Sequence, residues 1–197
     1  MTASPLFPIA LKLEGRLVLV VGSGPVAETK AKSLLEAGAR IRLVAPDAGF
    51  DWTHPSLELR RRSFRPQDLE DCWLAVSAAT PEVHREVAEQ AQTRRTFVIA
   101  VDDPSNGTAH GAAVLRRGGL TLGISTDGAA PALSGLVREA LEALIPIEID
   151  EWLHTARRHR NRWRREGVPM AERRPLLLRA LNALYDERSR LRGSRQG

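Results

Sequence analysis

The chain has 197 residues, 43% hydrophobic and 27% charged, a size that fits one domain, or one domain with an appendage, around a real core. No apolar run approaches the ~18–20 residues of a spanning helix, and Met1 to Lys12 lacks the basic start and cleavage site of a secretory signal. The one cysteine, Cys72, excludes an intrachain disulfide framework and any CxxC metal or redox site; the cytoplasm is the expected compartment.

The first hundred residues alternate apolar runs with helical patterns. Leu17 to Val21 is a continuous β-branched and leucine run, the signature of a strand buried on both faces. Gly22-Ser23-Gly24 follows, and Pro25 suits a first helical turn, where its missing N–H is not needed. Ala27, Ala31, Leu34 and Leu35 recur at helical spacing up to Gly38. Strands are expected at 41–44, 57–64, 73–77 and 97–101, with a helix over 81–92. This alternation predicts a parallel sheet with crossover helices. Cys72, just before the fourth strand, is expected to be a buried thiol rather than a nucleophile.

Beyond Asp102 the pattern changes. Asp103 to Gly107 is turn chemistry, and Val114-Leu115 and Leu120 to Ile124 flank Arg116-Arg117-Gly118-Gly119 as an antiparallel hairpin. A helix is expected over 131–144, ended by Pro146. From Ile149 the chain reads as helix, with Ile149, Trp152, Leu153, Ala156 and Trp163 on one stripe. A second helix is expected from about Pro175, and from Ser189 a frayed tail. Charge is uneven: the net is +5, yet residues 151–197 hold 13 arginines against 5 acids. Such a face calls for an anionic partner or is simply solvated.

Gly22-Ser23-Gly24-Pro25-Val26-Ala27 fits G-x-G-x-x-A between a strand and a helix, the context in which the motif binds dinucleotides. Gly22 serves the tight turn, Gly24 admits a pyrophosphate to the backbone, and Ala27 allows close helix–sheet packing. The second strand ends in Ala45-Pro46-Asp47. Asp47 either reaches the ribose hydroxyls or begins a turn, and with no arginine directly after it NAD is favoured over NADP. Asp102 closes the fifth strand, on the edge where open α/β sheets bind ligands; catalysis and turn capping are its two readings. For Asp103 the turn reading is preferred. His110 could enter the same cleft, but the hairpin-surface reading is preferred. His154 and His159 are spaced too far around a helix to share a metal, and no other cluster has ligand spacing.

These stretches, together with Phe7 to Leu11, Leu34 to Ala39, Val44-Ala45-Pro46, Ala78-Ala79-Thr80, Val101-Asp102-Asp103-Pro104, Ile124-Ser125-Thr126 and Gly128 to Leu133, closely resemble the amino-terminal module of siroheme synthase, the precorrin-2 dehydrogenase/sirohydrochlorin ferrochelatase family, from about residue 5 to about 175. The resemblance implies an α/β, Rossmann-type parallel sheet as an NAD-binding domain over 1–112. It also implies a dimerisation hairpin/helix region over 113–147 and a small helical domain with a basic tail over 148–197. It implies NAD-dependent oxidation of precorrin-2 to sirohydrochlorin, ferrous iron insertion in some members, and a homodimer. Its functional aspartate falls on Asp102, and its dinucleotide contacts on Gly22, Ser23, Gly24, Pro25, Val26, Pro46 and Asp47. Substrate contacts are assigned to Thr126 and Gly128, and to Arg157 and Arg158 as partners for the carboxylates of the tetrapyrrole.

Two departures stand out: Ser23 replaces the family's usual middle glycine, and Thr108 to Ala113 replaces an apolar-Pro stretch. The length leaves no room for the methyltransferase of fused relatives, so methylation is expected from another protein. The rival reading is a dinucleotide-sensing regulatory module without catalysis. Nucleic-acid binding by the basic tail is disfavoured, because Trp152 and Trp163 belong to the apolar stripe. No membrane partner and no resident metal are expected.

Overall fold

The computed structural model describes residues 5–47, 49 and 52–193. They divide into two compact units: Met1–Ala112 with Ser125–Pro131, and Ala113–Ile124 with Ala132–Gly197.

The first unit is built on five parallel strands: β1 (Leu17–Val21), β2 (Arg40–Val44), β3 (Leu57–Arg60), β4 (Leu74–Ser77) and β5 (Phe97–Ala100). Their order is β3-β2-β1-β4-β5, that of a Rossmann half-sheet extended past its reversal point. Successive residues of a strand face opposite ways, and both faces are covered. Val18 and Val20 join Ala27 and Ala31 of α1 (Pro25–Glu36), whereas Leu19 and Val21 join Val87 and Ala91 of α2 (Pro81–Arg94). This is why Leu17 to Val21 reads as an unbroken apolar run.

The third strand is shorter than the 57–64 expected. The Arg62 amide bonds back to the Arg60 carbonyl, and the guanidinium groups of Arg60 and Arg62 both turn to Asp68 at 2.6 Å, in a short 3₁₀ turn over Pro66–Leu69. Asp68 is wholly buried. Burial pushes its carboxyl up, but hydrogen bonds from Arg62, the Arg65 amide and Arg60 outweigh that and hold it below the ordinary aspartate value. Cys72 is buried beneath the same turn, and burial raises its thiol to about 11, so it stays protonated and unreactive at neutral pH.

In the second unit, β6 (Ala113–Arg117) pairs antiparallel with β7 (Leu120–Ile124) around Gly118 and Gly119. Helices α3 (Pro131–Leu144), α4 (Ile149–Arg165) and α5 (Met170–Gly193) follow. Trp163 is buried, and Trp152 meets Tyr185 of α5 edge-on at 6.1 Å. The last helix begins five residues before Pro175 and continues through Ser189, where a frayed tail was expected. The Arg173 guanidinium donates to the Val168 carbonyl and the Glu172 amide to that of Pro169, fixing the earlier start. Residues 194–197 lie outside the described residues. No helix among the described residues is long and apolar enough to cross a membrane.

Candidate functional site

The glycine loop joins β1 to α1 at the reversal point of the sheet. Gly22 has φ +132°, its amide donates to the Val44 carbonyl, and a Cβ there would stand 2.1 Å from the Ala78 carbonyl oxygen. Glycine is needed so that the ends of β1 and β4 can approach. Gly24 caps α1 with extended backbone and no side-chain bond, and a Cβ on it would point into open space. Pro25 has no N–H to offer, so the amides of Val26 and Ala27 are the free donors of the first turn. An open approach, unsatisfied amides and a helix dipole form a cradle for an anionic phosphate, and the NAD pyrophosphate fits it. Ser23 is exposed, so its side chain does not obstruct the loop. Pro46 and Asp47 form an exposed turn directly after β2.

Asp102 stands two residues beyond β5, on a turn with φ +58°. Aspartate is among the few residues that tolerate this left-handed region. Its carboxylate is exposed and makes no ion pair among the described residues. Asp103, in contrast, accepts from Ser105 Oγ at 2.6 Å and Asn106 Nδ2 at 2.7 Å, and these bonds hold its carboxyl below the ordinary value. Its side chain is committed to the turn, as the Asp-Pro sequence suggested.

Two cavities share Asp102. The larger, about 390 Å³, is lined by Val26 of α1, Ala78, Ala79, Pro81 and His84 after β4, and Val101 to Asp103. The glycine loop's helix and the candidate catalytic carboxylate therefore border one space. The second, about 160 Å³, is lined by Lys30, Val101, Asp102, Pro104, His110, Gly111 and Gly128 among others. His110, for which the hairpin surface was the preferred reading, lines this cavity instead. Thr108 places it: the Thr108 and Ala109 amides both donate to the Val98 carbonyl, tying the segment to the edge of β5.

Gly128 has φ +79°, and a Cβ would come within 2.9 Å of Pro104 and 3.6 Å of His110. Thr126 accepts from the Ala130 amide at 3.1 Å, closing the loop that carries Gly128. Arg157 and Arg158 are exposed and belong to the second unit. The Arg157 guanidinium lies over the hairpin turn, 2.7 Å from where a Cβ on Gly119 would stand. No group of three or more potential metal ligands occurs among the described residues.

Sequence reasoning passed over two lining residues. His84 is buried, with Nδ1 2.8 Å from Ser77 Oγ. Lys30 lies one turn along α1 from Val26. No sequence signal singled them out, because the prolines that mark the first turns of both helices do not say which polar residues face the strand ends.

The strand order, the glycine loop at the reversal point and the cavity beyond the strand ends define a Rossmann-type dinucleotide-binding protein. Residues 9–113 match the family described as "Putative NAD(P)-binding", and residues 117–144 match "Sirohaem biosynthesis protein central". The chain belongs to the family described as putative NAD(P)-binding.

The chain is 37% identical over 181 residues to siroheme synthase 3 of Aeromonas hydrophila subsp. hydrophila, covering 89% of this chain and 39% of that protein. It is 36% identical over 172 residues to siroheme synthase of Citrobacter koseri, covering 85% and 38%. The chain thus spans about two fifths of the length of these curated relatives. Among solved structures it is similar to "SirC, precorrin-2 dehydrogenase", with a TM-score of 0.69, 28% identity and 88% of each chain covered.

Proposed function

We propose that this chain is a precorrin-2 dehydrogenase, oxidising precorrin-2 to sirohydrochlorin with NAD. The observation that carries the reading is the shared cavity: Val26 on the cofactor loop's helix and the unpaired carboxylate of Asp102 line the same space. The likeness to SirC over nearly the whole chain supports it. So does the family match of both the dinucleotide region and the central region.

Loss of two hydrogens from the macrocycle divides into a hydride and a proton. When bound, NAD supplies the acceptor for the hydride. Gly22 to Val26 would hold its pyrophosphate, and Pro46 and Asp47 would contact its adenosine ribose. Asp102 takes the proton released as the new double bond forms, a role open to an exposed carboxylate at the edge of the cavity. Thr126 fixes the loop that positions Gly128 against the turn after Asp102. Arg157 and Arg158 draw the anionic substrate through their charge. Where ferrous iron enters the product, Asp102 is also the group to accept the pyrrole protons. A reaction that draws on NAD and the tetrapyrrole pool fits the cytoplasm.

In this reading residues 1–112 are the dinucleotide domain, 113–147 the dimerisation region and 148–197 the helical domain. The exposed Val114, Leu133, Leu136 and Leu144 of the middle region support a homodimer.

The test is incubation of the purified chain with precorrin-2 and NAD. NADH formation together with the sirohydrochlorin spectrum is expected, and adding ferrous iron afterwards reads chelation separately. A protein that binds NAD and forms neither product is instead a dinucleotide-sensing module.

A further inference from the structure

Beside Asp102, the smaller cavity has two polar walls, Lys30 and His110, to which the proposed reaction gives no task. Its walls differ in character from those of the larger one. Lys30 brings an ammonium from α1, His110 brings an imidazole from the segment tied to β5, and Gly128 brings bare backbone. The ammonium has no ion-pair partner among the described residues, although Lys32, half a turn away, is paired with Glu28 at 2.6 Å. Asp102 lines the cavity and makes no ion pair with Lys30 within it.

Two glycines keep the space open. A Cβ on Gly128 would press on Pro104 and come into contact with His110. A Cβ on Gly111 would stand 3.5 Å from Lys30 Nζ, so a longer side chain at 111 would occupy the place of a ligand on the ammonium. The volume of about 160 Å³ holds a carboxymethyl or carboxyethyl arm with a water or two, and not a tetrapyrrole ring.

We propose that this cavity is a carboxylate subsite, in which Lys30 and His110 hold one acidic arm of the substrate while the ring reacts beside Asp102. The proposal rests on the reading that the substrate is a polycarboxylate tetrapyrrole. A compact ammonium in a partly enclosed space forms a charge-assisted hydrogen bond with carboxylate, stronger than a neutral one. Anchoring one arm next to the proton acceptor also fixes which ring carbon faces the cofactor, the positioning that such a reaction needs.

The probe is uroporphyrin, an octacarboxylate tetrapyrrole that is not turned over, titrated by fluorescence into the full chain. Lys30→Gln and Gly111→Asp are each expected to weaken its binding about tenfold, the value of one charge-assisted hydrogen bond. Lys30→Arg should stay within about threefold of the wild type, and NAD affinity should be unchanged in all three variants. KM for precorrin-2 should rise in parallel with the uroporphyrin Kd.

Wild-type binding that Lys30→Gln leaves unaltered overturns the subsite, as does a wild type that does not bind uroporphyrin. Weakened NAD binding in Lys30→Gln overturns it too, by assigning the ammonium to a cofactor phosphate. Lys30-dependent binding without NADH from precorrin-2 refutes the dehydrogenase reading and leaves the subsite standing. Turnover of precorrin-2 with a KM indifferent to Lys30 does the reverse.

Discussion

The two units solve the problem of burial differently. In the first, the sheet is covered on both faces, and Val18, Leu19, Val20, Ala27, Ala31, Leu43, Ala75 and Val87 are wholly inaccessible. In the second, the buried side chains among the described residues are Leu115, Ser134, Thr155 and Trp163, whereas Leu133, Leu136, Val137 and Leu144 of one helix are exposed. A hairpin and three helices bury little by themselves, and helices of this kind draw most of their stability from packing an apolar face. The first unit therefore carries its stability internally and can spend strained backbone on function, as at Asp102. The second presents an uncovered apolar face, which accords with the proposed dimer.

That difference is tested most severely where the first unit is tightest. Gly22→Val places a branched side chain at φ +132° against the Ala78 carbonyl. A strained φ alone costs about 1–3 kcal/mol, and the steric conflict adds to it, so a loss above about 3 kcal/mol in denaturant unfolding is expected. A variant as stable as the wild type would mean that the close approach of β1 and β4 is not required.

The next largest effect is at Asp68. Asp68→Asn leaves Arg60 and Arg62 without their buried carboxylate and should cost about 3 kcal/mol at neutral pH. Because the native carboxyl titrates below its ordinary value, its contribution is complete above about pH 4. It is lost as pH falls through the native value. The wild type should therefore lose stability in acid where Asp68→Asn loses less, and parallel acid limbs would remove Asp68 from that role.

Two substitutions separate function from stability within the first unit. Gly24→Asp puts a favoured capping residue at the start of α1, into open space, so the fold is kept. Its carboxylate meets the incoming pyrophosphate, and NAD affinity by calorimetry should fall on the order of a hundredfold. Asp102→Asn retains a residue that tolerates φ +58° and the same size. It should keep NAD affinity and lower NADH formation at least about tenfold. Wild-type kcat would remove Asp102 from the reaction.

The contrast between units also explains what was legible in the sequence. Strands buried on both faces write themselves as apolar runs, so the five-strand sheet, the glycine loop and the position of Asp102 could be read directly. The short end of β3 could not, because it depends on Asp68 drawing in Arg60 and Arg62 from eight and six residues away along the chain. The start of α5 could not either, since Pro175 resembles a first-turn proline, whereas it is the Arg173 contact with the Val168 carbonyl that holds the earlier turn. His84 and Lys30 were invisible for a third reason. Nothing in a helical pattern says which polar residues overlook a cavity until the strand ends are in place.

The smallest expected effect belongs to the second unit and sets the acid order of the two. His159 packs its ring 5.1 Å from that of Trp163, with its Nδ1 buried and unpartnered. Burial first, then the charges of Arg162 and Arg158, hold its imidazole below the ordinary histidine value. The folded chain thus disfavours the imidazolium, and the unfolded chain binds the proton first as pH falls through about 6.5. Stability from this group is full above that pH and declines below it toward the native value. The decline should be slight, since the ring is only partly enclosed, and it should precede the loss at Asp68 as pH falls. An imidazole titration followed by NMR should show a midpoint below about 6.5 that Trp163→Ala moves upward. A midpoint at or above that value in the wild type would mean that the Trp163 contact does not desolvate the ring, and that His159 makes no acid-sensitive contribution to the second unit.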